Sequence, residues 1–333
     1  MTTRRELIGA ALAAAGAAAL RGGAARAEGA PLPEVTGDAD IDRLLPELSN
    51  WGRWGPDDQL GTLNFITAEM RLEAARSVRS GRVVSLAHER GVADPTGVRK
   101  HQYQMFSYTD PQPEEAGCID MVGFICHGYT ITHLDALCHI FTPEGREGMY
   151  NGFPIAAVTP EGAEKLGVEV MGAQGIVGRG VLLDVAALRG GPLPLGSVIR
   201  RADFEAAEAA QGVTVGEGDI LFLRNGQGSR NSYALGTGLH ADCLPWLHAR
   251  RVALLSSDSD SDVHPPMDGF ALWSEPVHMI AIPYLGLPLI CGADLEDLSR
   301  ACVEEGSWTF FLSVAPWRFK GATSSPVNPL AIF

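Results

Sequence analysis

Cys126-His127-Gly128-Tyr129-Thr130-Ile131-Thr132-His133-Leu134-Asp135-Ala136-Leu137-Cys138-His139 carries three of the nine histidines in this 333-residue chain, with one carboxylate among them. Side chains alternate along a strand, so His133 and Asp135 lie on one face of an extended segment. His139 follows four residues after the aspartate and serves the same site if the chain bends. A neutral imidazole beside an anionic oxygen suits a borderline divalent metal such as zinc or manganese. For any one histidine the plainer reading is a buried strand whose polar residues are satisfied by hydrogen bonds. Four such residues in one apolar segment favour a shared site, because each buried polar group needs a partner.

Outward from this segment, β-branched or leucine-rich runs bounded by Gly and Asp predict strands. They fall at Arg82–Ala87, Met121–His127, Gly180–Val185, Asp219–Arg224 and Val252–Ser257. Thr67 as N-cap and Gly81 as stop predict a helix over Ala68–Ser80. Further helices are expected at Phe204–Gln211 with Asp203 as cap, at Ala241–Arg250 with Pro245 in its first turn, and at Leu295–Glu305. Strands and helices mix without strict alternation, which predicts a mixed α/β fold with a sheet-rich centre. Asp258-Ser259-Asp260-Ser261-Asp262 resembles half a calcium loop but lacks the sixth-position glycine and twelfth-position glutamate, so it reads as a solvated strand-to-loop exit. Neither a dinucleotide-binding glycine fingerprint nor a Gly-x-Ser-x-Gly elbow occurs.

The chain opens with Arg4-Arg5, an Ala- and Leu-rich run to Leu20 and then Ala25-Arg26-Ala27. Paired arginines, a short apolar region and a small-x-small site predict a twin-arginine export signal over residues 1–27, and hence a periplasmic or secreted protein. The apolar run is too short to be read as a membrane anchor. An extended arm is expected over 28–50 and one catalytic domain over 51–333, since no linker, repeat or low-complexity segment divides them. Forty acidic against twenty-six basic residues give a net charge of −14, and near −17 without the signal. That charge repels nucleic acid and offers no basic footprint for an anionic membrane. Six cysteines, most in apolar segments and none with Cys-x-x-Cys spacing, predict mainly buried free thiols with at most one bridge.

Thr132-His133-Leu134-Asp135-Ala136-Leu137-Cys138-His139 resembles the central motif of the metal-dependent cyclase family, which includes bacterial kynurenine formamidase and isatin hydrolase. The family pattern is His-x-Gly-Thr-His-x-Asp-x-Pro-x-His, and Leu137 stands where it has proline. Gly178–Asp184, Gly218–Leu221 and Gly238-Leu239-His240-Ala241-Asp242 resemble later family segments. Trp51–Gly55 and Asp58–Asn64 resemble longer members, so the likeness runs through most of the chain from residue 50. It implies a swivelling β/β/α-like single domain with a mixed sheet. It also implies His133 and Asp135 as metal ligands, His139 as proton donor and acceptor, and a homodimer as a possible state. The pattern's first histidine falls at Tyr129, so His127 becomes a ligand only if the loop through Gly128 is two residues longer. A straight strand separates His127 from His133 by roughly 20 Å, which makes a bend necessary. Members with two ions draw a histidine and a glutamate from downstream. Asp242 holds the glutamate position, Arg230 lies near the histidine's, and His240 either completes the site or simply begins a helix. One ion and two ions both remain open.

The resemblance implies hydrolysis of an amide, lactone or cyclic imide-type carbonyl by metal-activated water, with His139 as acid and base. Trp51, Trp54, Phe106 and Tyr129 are candidate walls for an apolar or aromatic small molecule, or else plain core, and Gln59 and Asn64 are candidates for its polar end. A cyclase or dehydratase on the same site is one alternative. A periplasmic ligand-binding protein without turnover is another, against which the presence of His139 argues.

Overall fold

Continuous apolar runs make the centre of the sheet, because a strand covered on both faces has no polar side to alternate with. Val181, Leu182 and Leu183, then Ile220 to Leu223, then Leu254 and Leu255 are all fully buried. The structure is a computed structural model that describes residues 32–89, 105–112, 117–128, 131–143, 148–227 and 235–333. The export-signal reading, Tyr129 and Arg230 lie outside the described residues, as does the side chain of Phe106.

Among the described residues nine strands form the main sheet. From edge to edge they are Val83–Ser85, Leu330–Ile332, Thr309–Val314, Ile176–Asp184, Ile220–Arg224, Leu254–Ser257, Leu289–Cys291, His133–Asp135 and Ser324–Pro326. The four strands from Ile176–Asp184 to Leu289–Cys291 run parallel, and antiparallel strands flank them on both sides. This is the mixed α/β architecture expected. Met105–Gln112 and Gly117–Phe124 pair as a separate hairpin, so the strand expected over Met121–His127 starts earlier and ends before His127.

The helices follow their local signals with shifted ends. Thr67 Oγ1 accepts from Met70 N at 3.2 Å and caps the helix Ala68–Arg76. That helix stops short of Ser80 because the Ser80 and Gly81 N–H groups turn to Phe333 O. Asp203 is not the cap of its helix. The helix runs Arg201–Gln211, and Asp203 sits one turn in, accepting from Arg200 N at 2.7 Å. Pro245 falls in the first turn of Cys243–Ala249, where no N–H is needed. Glu296–Glu305 forms the last helix. Within the arm expected over 28–50, Asp38–Leu48 is a helix rather than extended chain, and Ile41, Leu44, Leu45 and Leu48 are buried in the core.

One further element comes from a segment without helical period. Val277–Leu285 forms a π-helix in which every residue except Met279 is buried. Its C-terminal end is fixed by a close approach: Gly61, at φ 59°, lies so near Gly286 O that an added Cβ would stand 2.0 Å from it. All six cysteines are free, and four of them are buried.

Candidate metal centre

The strand His133–Asp135 lies second from the sheet edge, between Leu289–Cys291 and Ser324–Pro326. Register places Cys291 opposite His133, and directly opposed residues of antiparallel strands project to the same side. His133, Asp135 and Cys291 therefore share one face, with Leu134 on the other. After Asp135 the chain turns, with His139 N bonded to Ala136 O, and this returns the His139 ring toward the aspartate. On the other flank Gly128 sits at φ 122°, a conformation that favours glycine, and lets the chain bend after His127. The bend brings the His127 and His133 ring centroids to 5.5 Å.

Asp135 is the centre of this group. Its Oδ1 lies 3.0 Å from His127 Nδ1, 3.5 Å from His133 Nε2 and 3.9 Å from His139 Nε2. Its Oδ2 lies 3.6 Å from His278 Nε2 and 3.9 Å from Cys291 Sγ. Both Asp135 Oδ1 and His127 Nδ1 are buried without a hydrogen bond of acceptable geometry, although they lie close together. An uncompensated buried pair of this kind is costly unless something else satisfies it. Ligand atoms of His127, Asp135 and His139 lie within 4.8 Å of one another, as do those of His133, Asp135 and Cys291 and those of Asp260, His278 and Cys291.

Outer partners orient the rings. His133 Nδ1 faces Ile131 O at 2.7 Å, which leaves its Nε2 lone pair toward Asp135. His127 Nε2 bonds Thr323 Oγ1 at 3.0 Å, and its ring stacks on His139 at 3.7 Å. Asp262 accepts from Val277 N, His278 N and His278 Nδ1 at 2.8, 3.0 and 2.7 Å, so it caps the π-helix and aims His278 inward. Burial lowers the His139 pKa to about 4 against the pull of Asp135. Burial alone pushes Asp135 up, but the His139 and His133 rings, and then the nearby His127 and His278 nitrogens, hold it well below the usual carboxylate range. Burial opposes charge on His278 too, yet the Asp135 and Asp262 carboxylates raise it well above an ordinary histidine.

Other expected site residues are placed elsewhere. Asp242 accepts from Arg201 N at 3.2 Å and pairs with Arg200, while His240 Nδ1 accepts from Asp242 N at 3.1 Å. Neither His240 nor Asp242 joins a three-ligand group among the described residues. The two line a cavity of about 670 Å³ with Arg200, Arg201 and Phe270, and no member of the Asp135 group lines it. Trp51 Nε1 donates to Pro283 O at 2.6 Å and its ring stacks on Tyr284; Trp54 packs edge-on against Phe65. Gln59 Oε1 accepts from Leu166 N at 2.8 Å, and Asn64 Nδ2 donates to Asp58 Oδ1 at 2.8 Å. These four side chains brace the scaffold.

The segment Asp258–Asp262 corrects its solvated reading. Asp258, Ser259, Ser261 and Asp262 are buried at the carboxyl end of a parallel strand, the end where α/β sheets place their ligands. Asn225 N and Gly226 N donate to Asp258, and Asp262 holds His278. His278 and Cys291 were missed by sequence reasoning. The imidazole inside the apolar run Val277–Leu285 was a usable signal, whereas Cys291 looked like any other buried thiol.

A profile of the family described as putative cyclase matches residues 64–261. Comparison with curated proteins gives no match. A solved structure described as a novel cyclase is 30% identical, with a TM-score of 0.76, and the alignment covers 86% of this chain and 99% of that one. Isatin hydrolase A from Labrenzia aggregata, bound to benzyl benzoate, is 16% identical with a TM-score of 0.53, over 75% of this chain and 93% of that one. Isatin hydrolase A from Ralstonia solanacearum is 17% identical with a TM-score of 0.53, over 80% and 97%. These two hydrolases are likenesses of fold. With the profile match over 64–261 and 30% identity to a cyclase along nearly that protein's whole length, the chain belongs to the putative cyclase family.

Proposed function

We infer that this chain is a metal-dependent hydrolase that opens an amide, lactone or cyclic imide-type carbonyl. The observation that carries the reading is Asp135 Oδ1, buried, without a hydrogen bond, and facing three imidazole nitrogens at 3.0 to 3.9 Å. A carboxylate oxygen and imidazole nitrogens are the donors that zinc and manganese take. His127, His133 and Asp135 are the holding residues in this reading. When bound, such an ion supplies an acidified water and polarises the substrate carbonyl. His139, with a pKa near 4 from burial, is neutral at neutral pH and free to accept a proton, which it returns to the leaving nitrogen or oxygen. Stacking on His127 fixes its ring plane.

What adjoins the cluster along the chain supports the substrate class. Trp317 lies 6.4 Å from Phe124 and 5.1 Å from Phe319, and both Trp317 and Phe319 are about half exposed. Phe124 leads to His127, and the Trp317–Phe319 segment leads to Thr323, which bonds it. That aromatic surface suits an apolar or aromatic small molecule. Two fold relatives are isatin hydrolases by name, in keeping with a hydrolase. The same reading keeps an exported protein, on the signal-like order of residues 1–27, and a homodimer, on the family resemblance.

The test is turnover of formamides, lactones and cyclic imides by chelated and remetallated protein. Activity should depend on the metal. His139→Ala should keep its metal and lose roughly 10²–10⁴-fold in kcat. Undiminished turnover in that variant removes His139 from the chemistry, and turnover indifferent to chelation overturns the hydrolase reading.

A further inference from the structure

The two oxygens of Asp135 face different company, and only Oδ1 faces His127, His133 and His139. Oδ2 faces His278 Nε2 at 3.6 Å and Cys291 Sγ at 3.9 Å, and those two atoms are 3.8 Å apart. An oxygen and a nitrogen on one tetrahedral zinc stand about 3.3 Å apart, and a sulfur lies about 3.6 Å from either. Each observed separation is a few tenths of an ångström longer, as befits donors that surround a small gap. At 3.6 Å the imidazole–carboxylate contact lies beyond hydrogen-bonding reach. Asp260 closes the set, with a carboxylate oxygen within 4.8 Å of both His278 and Cys291.

Each donor is also held from behind, as ligands are and casual neighbours need not be. Asp262 fixes His278 through Nδ1, and His264 Nε2 lies 3.2 Å from Asp260 Oδ2. Cys291 is pinned by its pairing opposite His133. Between the two aspartates Ser261 is buried at φ 72°, a conformation rare for serine, and both Asp260 and Asp262 come close to His278.

We propose that Asp135 Oδ2, His278, Cys291 and Asp260 form a second cation subsite, one that takes a zinc-class ion through a thiolate and shares the Asp135 carboxylate with the first. It rests on the metal-dependent reading above. The Cys291 thiol and the His278 Nε2–H give their protons to solvent as the sulfur–metal and nitrogen–metal bonds form, His278 keeps its proton on Nδ1 toward Asp262, and no oxidation state changes. A thiolate ligand favours zinc over magnesium, calcium or manganese at this subsite.

The experiment is titration of the metal-stripped full chain with cobalt(II), read by metal analysis and by the near-ultraviolet thiolate-to-cobalt absorption. The expected result is two ions per chain, with the thiolate band growing over one equivalent. Cys291→Ser should lose the band and keep one ion, while His278→Gln should weaken the band-forming equivalent at least tenfold. Wild-type protein saturated with cobalt but lacking the band overturns the proposal without needing any variant, as does a band that survives Cys291→Ser. One silent ion, lost in His133→Ala, leaves the hydrolase reading standing and removes this one. No bound cobalt at all removes both.

Discussion

A histidine's neighbours decide which way its proton moves, and His248 shows this away from the metal cluster. It lies in the helix Cys243–Ala249, where burial, then the charges of Arg53 and Arg251, lower its pKa from 6.5 to about 4. Between those values the unfolded chain binds a proton that the folded chain refuses, so stability rises with pH through the window and falls on acidification. His248→Gln removes the linkage, and the stability lost between pH 7 and pH 5 should shrink by about 2 kcal/mol in urea unfolding. An unchanged pH 5 to pH 7 difference would show that His248 takes up its proton as readily in the fold as in the unfolded chain. The residues of the candidate site differ in how far sequence reveals them. His133 and Asp135 are legible because strand alternation alone puts them on one face. His127 is not, since its place depends on the φ of 122° at Gly128. Cys291 stands 156 residues from Asp135, and only strand register joins them.

Elements were legible where burial leaves a pattern. The runs at Ile220–Arg224 and Leu254–Ser257 announce covered strands, and Thr67 announces its helix. The π-helix Val277–Leu285 announces nothing, because an element buried all round has no polar face to set a period. Its start is defined by a distant side chain instead. Asp262 satisfies the Val277 and His278 N–H groups that a helix N-terminus leaves open, and it holds the His278 ring with the same carboxylate. Asp262→Ala strips all three bonds inside a dry environment and should cost about 2–4 kcal/mol in denaturant unfolding. Asp262→Asn keeps an acceptor oxygen and should cost less. If Asp262→Ala unfolds at the wild-type midpoint, the π-helix does not depend on its cap. The run Asp258–Asp262 looked solvated because its partners lie far along the chain, at residues 225 and 226 for Asp258 and at 277 and 278 for Asp262.

At the scale of the molecule, the donors around Asp135 arrive on separate pieces of chain. His127 follows the hairpin, His133 to His139 span a strand and its turn, His278 begins the π-helix and Cys291 ends a parallel strand. An ion held by such a set ties these pieces together in the folded state and has no equivalent site in the unfolded chain. Binding to the native state alone stabilises it by about 4 kcal/mol when free metal exceeds its Kd a thousandfold. For a chain of this size that corresponds to a fall in Tm on the order of 5–10 °C when the metal is removed. Asp135 Oδ1 and His127 Nδ1 are buried without a hydrogen bond from the protein, so local opening on removal of the metal should begin at the cluster. Hydrogen exchange in the chelated protein should therefore quicken first at 131–139 and 289–292, ahead of the central strands 220–224 and 254–257. A Tm and an exchange pattern both indifferent to chelation would mean that the imidazoles close over Asp135 as ion pairs, and that the cluster is a structural clasp rather than a metal centre.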